Sequence, residues 1–185
     1  EVQSGVYHEN VNIYKSISLV GVDSGNGRPV VDAGGSGSVI SISAGNTTVE
    51  GFNITGSGGC GCGNAGLKIQ SSYNMIRQNI IYKNKYGIYI ESGSSNNTFL
   101  GNDLLNNSIT ISDSGTNNRW NASTESGGLK GLIEMVSGLQ VKGNHYSDYD
   151  QEAEGCIDAN KDLICDSPKV IGSGMDSYPS VSAAN

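Results

Sequence analysis

The sequence predicts an all-β fold, a right-handed single-stranded parallel β-helix, with an irregular calcium-binding-like C-terminal segment. Three observations predict it. Short apolar triplets alternate at two-residue spacing in "VISI", "GLKI", "GIYI" and "SITI", placing Ile40 and Ile42, Leu67 and Ile69, Ile88 and Ile90, then Ile109 and Ile111 at steps of 27, 21 and 21 residues. A second apolar register, Val49, Ile76, Phe99 and Trp120, advances beside it at steps of 27, 23 and 21. Asparagine repeats as well: Asn74, Asn79 and Asn84 of "YNMIRQNIIYKN" return 23 positions later as Asn97, Asn102 and Asn107 of "NNTFLGNDLLNN". A period of about 22 residues, made of short strands and Gly, Asn or Ser corners, is one turn of a solenoid in which each strand stacks on its counterpart.

The elements follow in order. "YHENVNIYKSISLVGV" supplies two strands of a first coil, and "TTVEGFNITGS" a strand and corner of the second. Within the triplets the aliphatic residues point inward while Ser41, Lys68, Tyr89 and Thr110 point outward. Ile69, Ile90 and Ile111 are therefore expected in one column. The step of 27 is explained by "GSGGCGCGN", which should bulge from a corner without breaking the stack. At the corners, Asn tolerates left-handed backbone and its amide can bond the amides above and below, so Asn74, Asn97 and Asn118 are expected to form a ladder. After Trp120 the period fails, and "GGLKGLIEMVSGLQV" reads equally as helix or strand. The chain thus divides into coils over 1–120, an irregular continuation or insertion over 121–142, and a C-terminal segment over 143–185, all in one compact domain.

Composition narrows the partners. A net charge of −7 with only 11 scattered Lys and Arg argues against nucleic acid or an anionic membrane, and favours cations. No apolar run reaches the roughly 18 residues that span a bilayer. The chain opens at "EVQSGVY" without a signal peptide, and Cys60, Cys62, Cys156 and Cys165 make an even count suited to disulfides. Asn46, Asn53, Asn96, Asn106 and Asn121 stand in Asn-x-Ser/Thr glycan-acceptor patterns. These features together predict a mature exported protein at the cell surface.

"DANKDLICD" carries the clearest site. Asp158, Asn160, Asp162 and Asp166 fall at relative positions 1, 3, 5 and 9, with the Ile164 carbonyl at position 7. Oxygen ligands at alternate positions of a curled loop suit calcium, which takes 6 to 8 of them. Asp148 and Asp150 are available to complete the shell. The usual Gly is replaced by Leu163 and no Glu follows at position 12, so this is not a complete EF-hand. A Cys156–Cys165 disulfide would tie the loop ends. A four-cysteine zinc site is the rival, outside the common zinc spacings. Cys60 and Cys62 can pair with each other or cross-link to a neighbour.

With "YHENVNIYKSISLVG", "GNHYSDY", "DANKDLICDSPKVI" and "MDSYP" in place, the chain resembles the NosD-like parallel β-helix proteins. The resemblance implies a secreted or surface protein of archaeal type, and extends to the periplasmic factor that serves copper-site maturation of nitrous oxide reductase. Two departures stand out. The amphipathic helix that plugs the first coil in that family is absent, with Val2 to Val6 already reading as strand, and His145-Tyr146 replaces a Tyr-Trp pair.

An enzyme on this fold would need paired carboxylates, or calcium with a basic residue, along one face. Asp103 and Asp113 are isolated in sequence, while Arg28, Arg77 and Arg119 fall at different corners. His8 and His145 read as surface or packed residues, and Met75, Met135 and Met175 are too dispersed for copper. Tyr82, Tyr86 and Tyr89 form either an aromatic strip for sugars or plain β-formers. The expected function is a non-catalytic structural protein, its partner itself or neighbouring surface proteins, assembling through a bare first coil into a layer, sheath or filament. A carbohydrate-binding or carbohydrate-cleaving module is the alternative, and copper handling the third reading.

Overall fold

The structure, a computed structural model, describes residues 1–121 and 143–182. Its strands stack into three parallel sheets that form the walls of a solenoid. The first wall holds β1 (Val2–Gln3), β4 (Ser18–Val22), β7 (Thr48–Glu50), β10 (Met75–Arg77) and β13 (Thr98–Leu100). The second holds β2 (Val6–His8), β5 (Val30–Asp32), β8 (Asn53–Thr55), β11 (Ile80–Tyr82), β14 (Asp103–Leu105) and β16 (His145–Tyr146). The third holds β3 (Val11–Ile13), β6 (Ile40–Ile42), β9 (Ala65–Ile69), β12 (Tyr86–Ile90) and β15 (Ile109–Asp113). A separate antiparallel hairpin, β17 (Lys169–Ile171) and β18 (Gly174–Asp176), lies near the C-terminal end.

Parallel in-register pairing sets each residue against its counterpart one coil away, so apolar residues pile into columns. The first wall stacks Leu19, Val49, Ile76 and Phe99. The Trp120 ring then lies on Phe99 with centroids 4.2 Å apart. The second wall stacks Tyr7, Val31, Ile54, Ile81, Leu104 and Tyr146. This column is missing from the triplet alignment because its three-residue strands turn their central residue into the core, as Val31, Ile54 and Ile81 do, and so lack the apolar-x-apolar alternation.

The third wall corrects the expected column. Ile42, Ile69 and Ile90 align, but the next residue is Asp113, while Ile111 pairs with Ile88 above Leu67. The last coil therefore keeps the 23-residue step through this strand and loses two residues in the following turn, between Asp113 and Asn118. Ile109 consequently pairs with half-buried Tyr86 and is itself exposed, and Thr110, expected outward, is buried with its Oγ1 donating to Asp148 Oδ2 at 2.8 Å.

The corners follow a five-residue frame: a ladder residue, three strand residues, then one residue with positive φ. In the fourth coil this frame runs Asn74, β10, Gln78, Asn79, β11, Lys83, Asn84, with φ of 55° at Gln78 and 54° at Lys83. The next coil repeats it through Gly101 and Asn106 before Asn102 and Asn107. The ladder asparagines themselves are not left-handed, contrary to the sequence argument. The left-handed residue stands one position earlier and swings the next side chain into the corner.

Three ladders result. Asn74 Nδ2 donates to Asn97 Oδ1 at 2.8 Å, and Asn97 Nδ2 to Asn118 Oδ1 at 3.1 Å. Asn79, Asn102 and Asn144 form the second ladder at 3.1 and 2.9 Å, and Asn84 with Asn107 the third at 3.2 Å. Each acceptor oxygen also takes the backbone N–H of the residue below it, as Asn102 Oδ1 does from Asn79 N at 3.1 Å. The second hydrogen of Asn102 Nδ2 goes to the Ile76 carbonyl at 3.0 Å. Asn102, a buried amide in the middle of its ladder, is thereby fully satisfied.

Insertions sit outside this frame. The corner between β8 and β9, residues 56–64, carries Cys60 and Cys62 and rests on the glycine-rich corner below, with Gly58 N donating to the Gly37 carbonyl at 2.8 Å. Of the irregular segment 121–142, all but Asn121 lies outside the described residues.

Removing the middle of a ladder should leave several buried groups without partners. Asn102→Ala is expected to lose about 2–4 kcal/mol in denaturant unfolding. Asn106→Gly, which keeps left-handed backbone at an exposed position, should stay within about 0.5 kcal/mol of the parent. Equal losses for the two would contradict the ladder account.

Candidate functional site: the C-terminal cap and its acidic loop

A parallel stack must end, and its last ladder rungs need acceptors. Asp113 Oδ1 receives Asn118 Nδ2 at 2.9 Å. Asp176, fully buried at the end of β18, receives Asn144 N at 2.8 Å and the Tyr146 hydroxyl at 3.0 Å on Oδ2, with Tyr178 N at 3.0 Å on Oδ1. Burial pushes the Asp176 carboxyl up from its ordinary value, against the opposing pull of these hydrogen bonds. The Tyr146 hydroxyl is also pushed well up, first by burial and then by the neighbouring Asp176 charge. The residues of "GNHYSDY" and "MDSYP" thus meet as a lid on the last coil.

Lys169 of β17 lies on the same lid, 3.1 Å from Asp148 Oδ1 and 5.1 and 4.9 Å from the Tyr146 and Tyr149 ring centroids. A cleft of about 420 Å³ opens between β15 and β17, lined by Thr110, Asp148, Lys169 and aliphatic residues. Its one carboxylate is already engaged by Lys169 and Thr110, so the cleft holds no pair suited to acid and base roles.

His145 is buried between two carboxylates, its Nδ1 3.7 Å from Asp103 Oδ1 and its Nε2 3.4 Å from Asp150 Oδ2. Asp103 and His145 are neighbours across the β14–β16 pairing, a placement that 42 residues of separation conceal from the sequence. His8 is exposed, 3.8 Å from Asp32.

The acidic loop is curled on itself. Asp158 Oδ1 and Oδ2 accept from Asp162 N and Leu163 N at 3.1 Å each, Asn160 Oδ1 from Asp162 N at 3.0 Å, Asp162 Oδ1 from Ile164 N at 2.9 Å, and Asp166 Oδ2 from Ala159 N at 2.8 Å. Leu163, where a Gly was expected, adopts φ of 68°. The Cys156–Cys165 disulfide closes the loop, and Cys165 N donates to the Pro179 carbonyl at 2.8 Å, fastening it to the lid. Asp148 and Asp150 do not join this loop: the first is held by Lys169 and Thr110, the second faces His145. Both lie in the turn directly after β16, whose pairing with β14 points them at the coil instead.

The remaining candidates are dispersed. Asn46 and Asn106 are exposed at corners, whereas Asn53, Asn96 and Asn121 are half-buried. Tyr86 and Tyr89 meet edge to face at 5.2 Å on the third wall, and Tyr82 belongs to the second wall, so the three form no single strip. Cys60 and Cys62 pair with each other.

An all-β solenoid with three walls, asparagine corners and a C-terminal lid defines a parallel β-helix protein. The chain belongs to the NosD family, whose model, described as periplasmic copper-binding protein (NosD), matches residues 30–151, from β5 to the turn after β16. That match stops short of the acidic loop. Neither a curated protein nor a solved structure matches the chain. No helix among the described residues is long and apolar enough to cross a membrane.

Copper prefers clustered imidazole, thiolate or thioether ligands. The two histidines lie on strands at opposite ends of the second wall, the cysteines are in disulfides, and Met75 and Met175 sit on different sheets. Met135 lies outside the described residues. Among the described residues no group of three or more His, Cys, Asp or Glu is arranged to hold a metal. These residues do not fit a resident copper centre.

The raised Asp176 pKa sets a direction for pH dependence. Its contribution to stability is full below the unfolded-state pKa, about 4, and is lost as pH rises through the higher folded value. The destabilisation caused by Asp176→Ala, read from denaturant unfolding, is therefore expected to be larger at about pH 4 than at about pH 7. A difference that grows with pH would contradict this.

Proposed function

We propose that this chain is a non-catalytic, exported β-helix that assembles head to tail with copies of itself, its first coil meeting the lid end of the next subunit. The observation that carries this reading is where apolar surface remains exposed. Val6 and Tyr14 belong to the first coil, Ile17 and Val22 to the start of the second, and Ile109, Ile157, Leu163, Val170 and Met175 to the last coil and lid. Between them only Tyr73 is an exposed large hydrophobic among the described residues. An end-to-end contact of unlike surfaces does not close on itself and builds a filament or layer.

Material examined by light scattering and electron microscopy should show rods lengthening with concentration. Val6→Asp and Val170→Asp, one at each end, should each reduce them to single subunits. A monodisperse monomer under oxidising, calcium-containing conditions would end the proposal.

Calcium at Asp158, Asn160, Asp162, Ile164 and Asp166 is part of the same reading, as a brace for the lid. The supporting observation is that Asp158, Asn160, Asp162 and Asp166 of one disulfide-closed loop all turn oxygens onto that loop's own backbone amides, at Ala159, Asp162, Leu163 and Ile164. Calcium at about 100 times its Kd should add about 2.7 kcal/mol to unfolding stability. Asp158→Asn with Asp162→Asn should remove that gain. No calcium effect on the parent protein would refute the brace.

The family description favours one second reading, copper as a cargo passed between partners. Stoichiometric copper binding by equilibrium dialysis would support it, and its absence at micromolar copper would discard it.

A further inference from the structure

The two disulfides of this chain have different physical consequences. Cys156 and Cys165 are 4% and 1% exposed and join segments nine residues apart, which pins the acidic loop to the lid. Cys60 and Cys62 are joined across one glycine, in an exposed corner loop. A cross-link restricts the unfolded chain according to the length of the loop it closes, and this one closes almost none. It also fastens no second element.

The loop is seated by other means. Gly35 N donates to the Gly56 carbonyl at 2.7 Å, Gly58 N to the Gly37 carbonyl at 2.8 Å, and Ala65 N to Ser38 Oγ at 3.1 Å. Gly63 packs on the Tyr89 ring. Cys60, Gly61 and Cys62 are exposed and a side chain at Gly59 or Gly61 would meet nothing, so a partner can approach this loop. One sulfur is also distinguished from the other: Asn64 Nδ2 donates to Cys60 Sγ at 2.9 Å. A hydrogen-bond donor aimed at one sulfur favours negative charge there, which makes it the better leaving thiolate.

We propose that Cys60 and Cys62 form a redox-active dithiol–disulfide site that exchanges two electrons with a partner protein carrying a pair of neighbouring thiols. A partner thiolate attacks Cys62 Sγ, forming a mixed disulfide as the Cys60–Cys62 bond breaks. Cys60 departs as a thiolate facing the Asn64 amide and takes up a proton. The partner's second thiolate, formed by loss of a proton, attacks the mixed disulfide. Cys62 leaves as a thiolate and is protonated, the partner holds the new disulfide, and this chain holds two thiols. In the reverse direction the Cys62 thiolate attacks the partner's disulfide, and the Cys60 thiolate facing Asn64 then attacks Cys62 Sγ and expels the partner's thiolate. The site stands independently of head-to-tail assembly, since the loop projects from the wall and not from either end.

The test uses the intact folded chain equilibrated with graded ratios of reduced to oxidised dithiothreitol, alkylated, digested and read by mass spectrometry. Cys60 and Cys62 should be labelled together at a ratio about tenfold or more below that needed for Cys156 and Cys165. Reduction of both pairs over one range, or of Cys60 and Cys62 only after unfolding, would overturn the proposal. In a Cys60→Ser background, Cys62 should form a mixed disulfide with glutathione; in a Cys62→Ser background, Asn64→Ala should slow Cys60 alkylation near neutral pH about threefold while shifting the pH midpoint upward. An unchanged midpoint and rate would remove Asn64 from the site. No mixed disulfide at Cys62 would count against the exchange chemistry itself.

Discussion

The structure depends on satisfying buried backbone amides at the corners of each coil. Strand pairing takes care of the walls, but at a corner the chain changes direction and its N–H groups point between strands. Asparagine meets this need because one short side chain holds a two-lone-pair acceptor and two donors at the reach of one coil spacing. Its oxygen covers the N–H of the coil below, while its amide hydrogens reach the next rung and a strand carbonyl. Aspartate lacks the donors. The five-residue frame follows from this: an added residue inside it would remove a rung, whereas residues added between frames, as in the Cys60–Cys62 loop, leave the rungs in place.

A repeating hydrogen-bond chain also demands a terminus. At the far end of this solenoid, carboxylates replace amides, since a last rung needs only to accept. Asp113 and Asp176 do so, and the second requires a whole lid of Tyr146, Asn144, Tyr178 and the β17–β18 hairpin to be brought over the last coil. The most recognisable segments of the C-terminal sequence are thereby given structural work. That leaves function to surfaces, to the ends, and to loops that the frame does not constrain, which is why the apolar residues at the two ends and the exposed cysteine corner carry the proposals made above.

The legible and illegible parts of the sequence differ for a physical reason. In a parallel stack a residue's partner lies one period away, so the Val49–Ile76–Phe99–Trp120 column and the Asn74–Asn97–Asn118 ladder can be read from spacing alone. The same rule misplaced Ile111, because a two-residue deletion can fall on either side of a strand, and only the pairing of Ile88 with Ile111 tells which. Left-handed backbone was assigned to the ladder asparagines on their general tolerance for it, whereas the bend falls on the residue before each of them, which is Tyr73, Gln78 and Lys83 in one coil and Asn96, Gly101 and Asn106 in the next. Asp148 and Asp150 looked available to the acidic loop by proximity in sequence, but the strand they follow turns them toward Thr110, Lys169 and His145.

By itself, then, the sequence determined the all-β solenoid, its coil length, its apolar columns and the residue type at its corners, since these repeat locally and each repeat testifies to the others. Only the tertiary structure decided how the stack ends: that Asn144 meets Asp176 across 32 residues, that His145 is enclosed by Asp103 and Asp150, and which apolar residues remain exposed. Those contacts occur once, between segments with no period to link them, and a single contact leaves no pattern in a chain read one residue at a time.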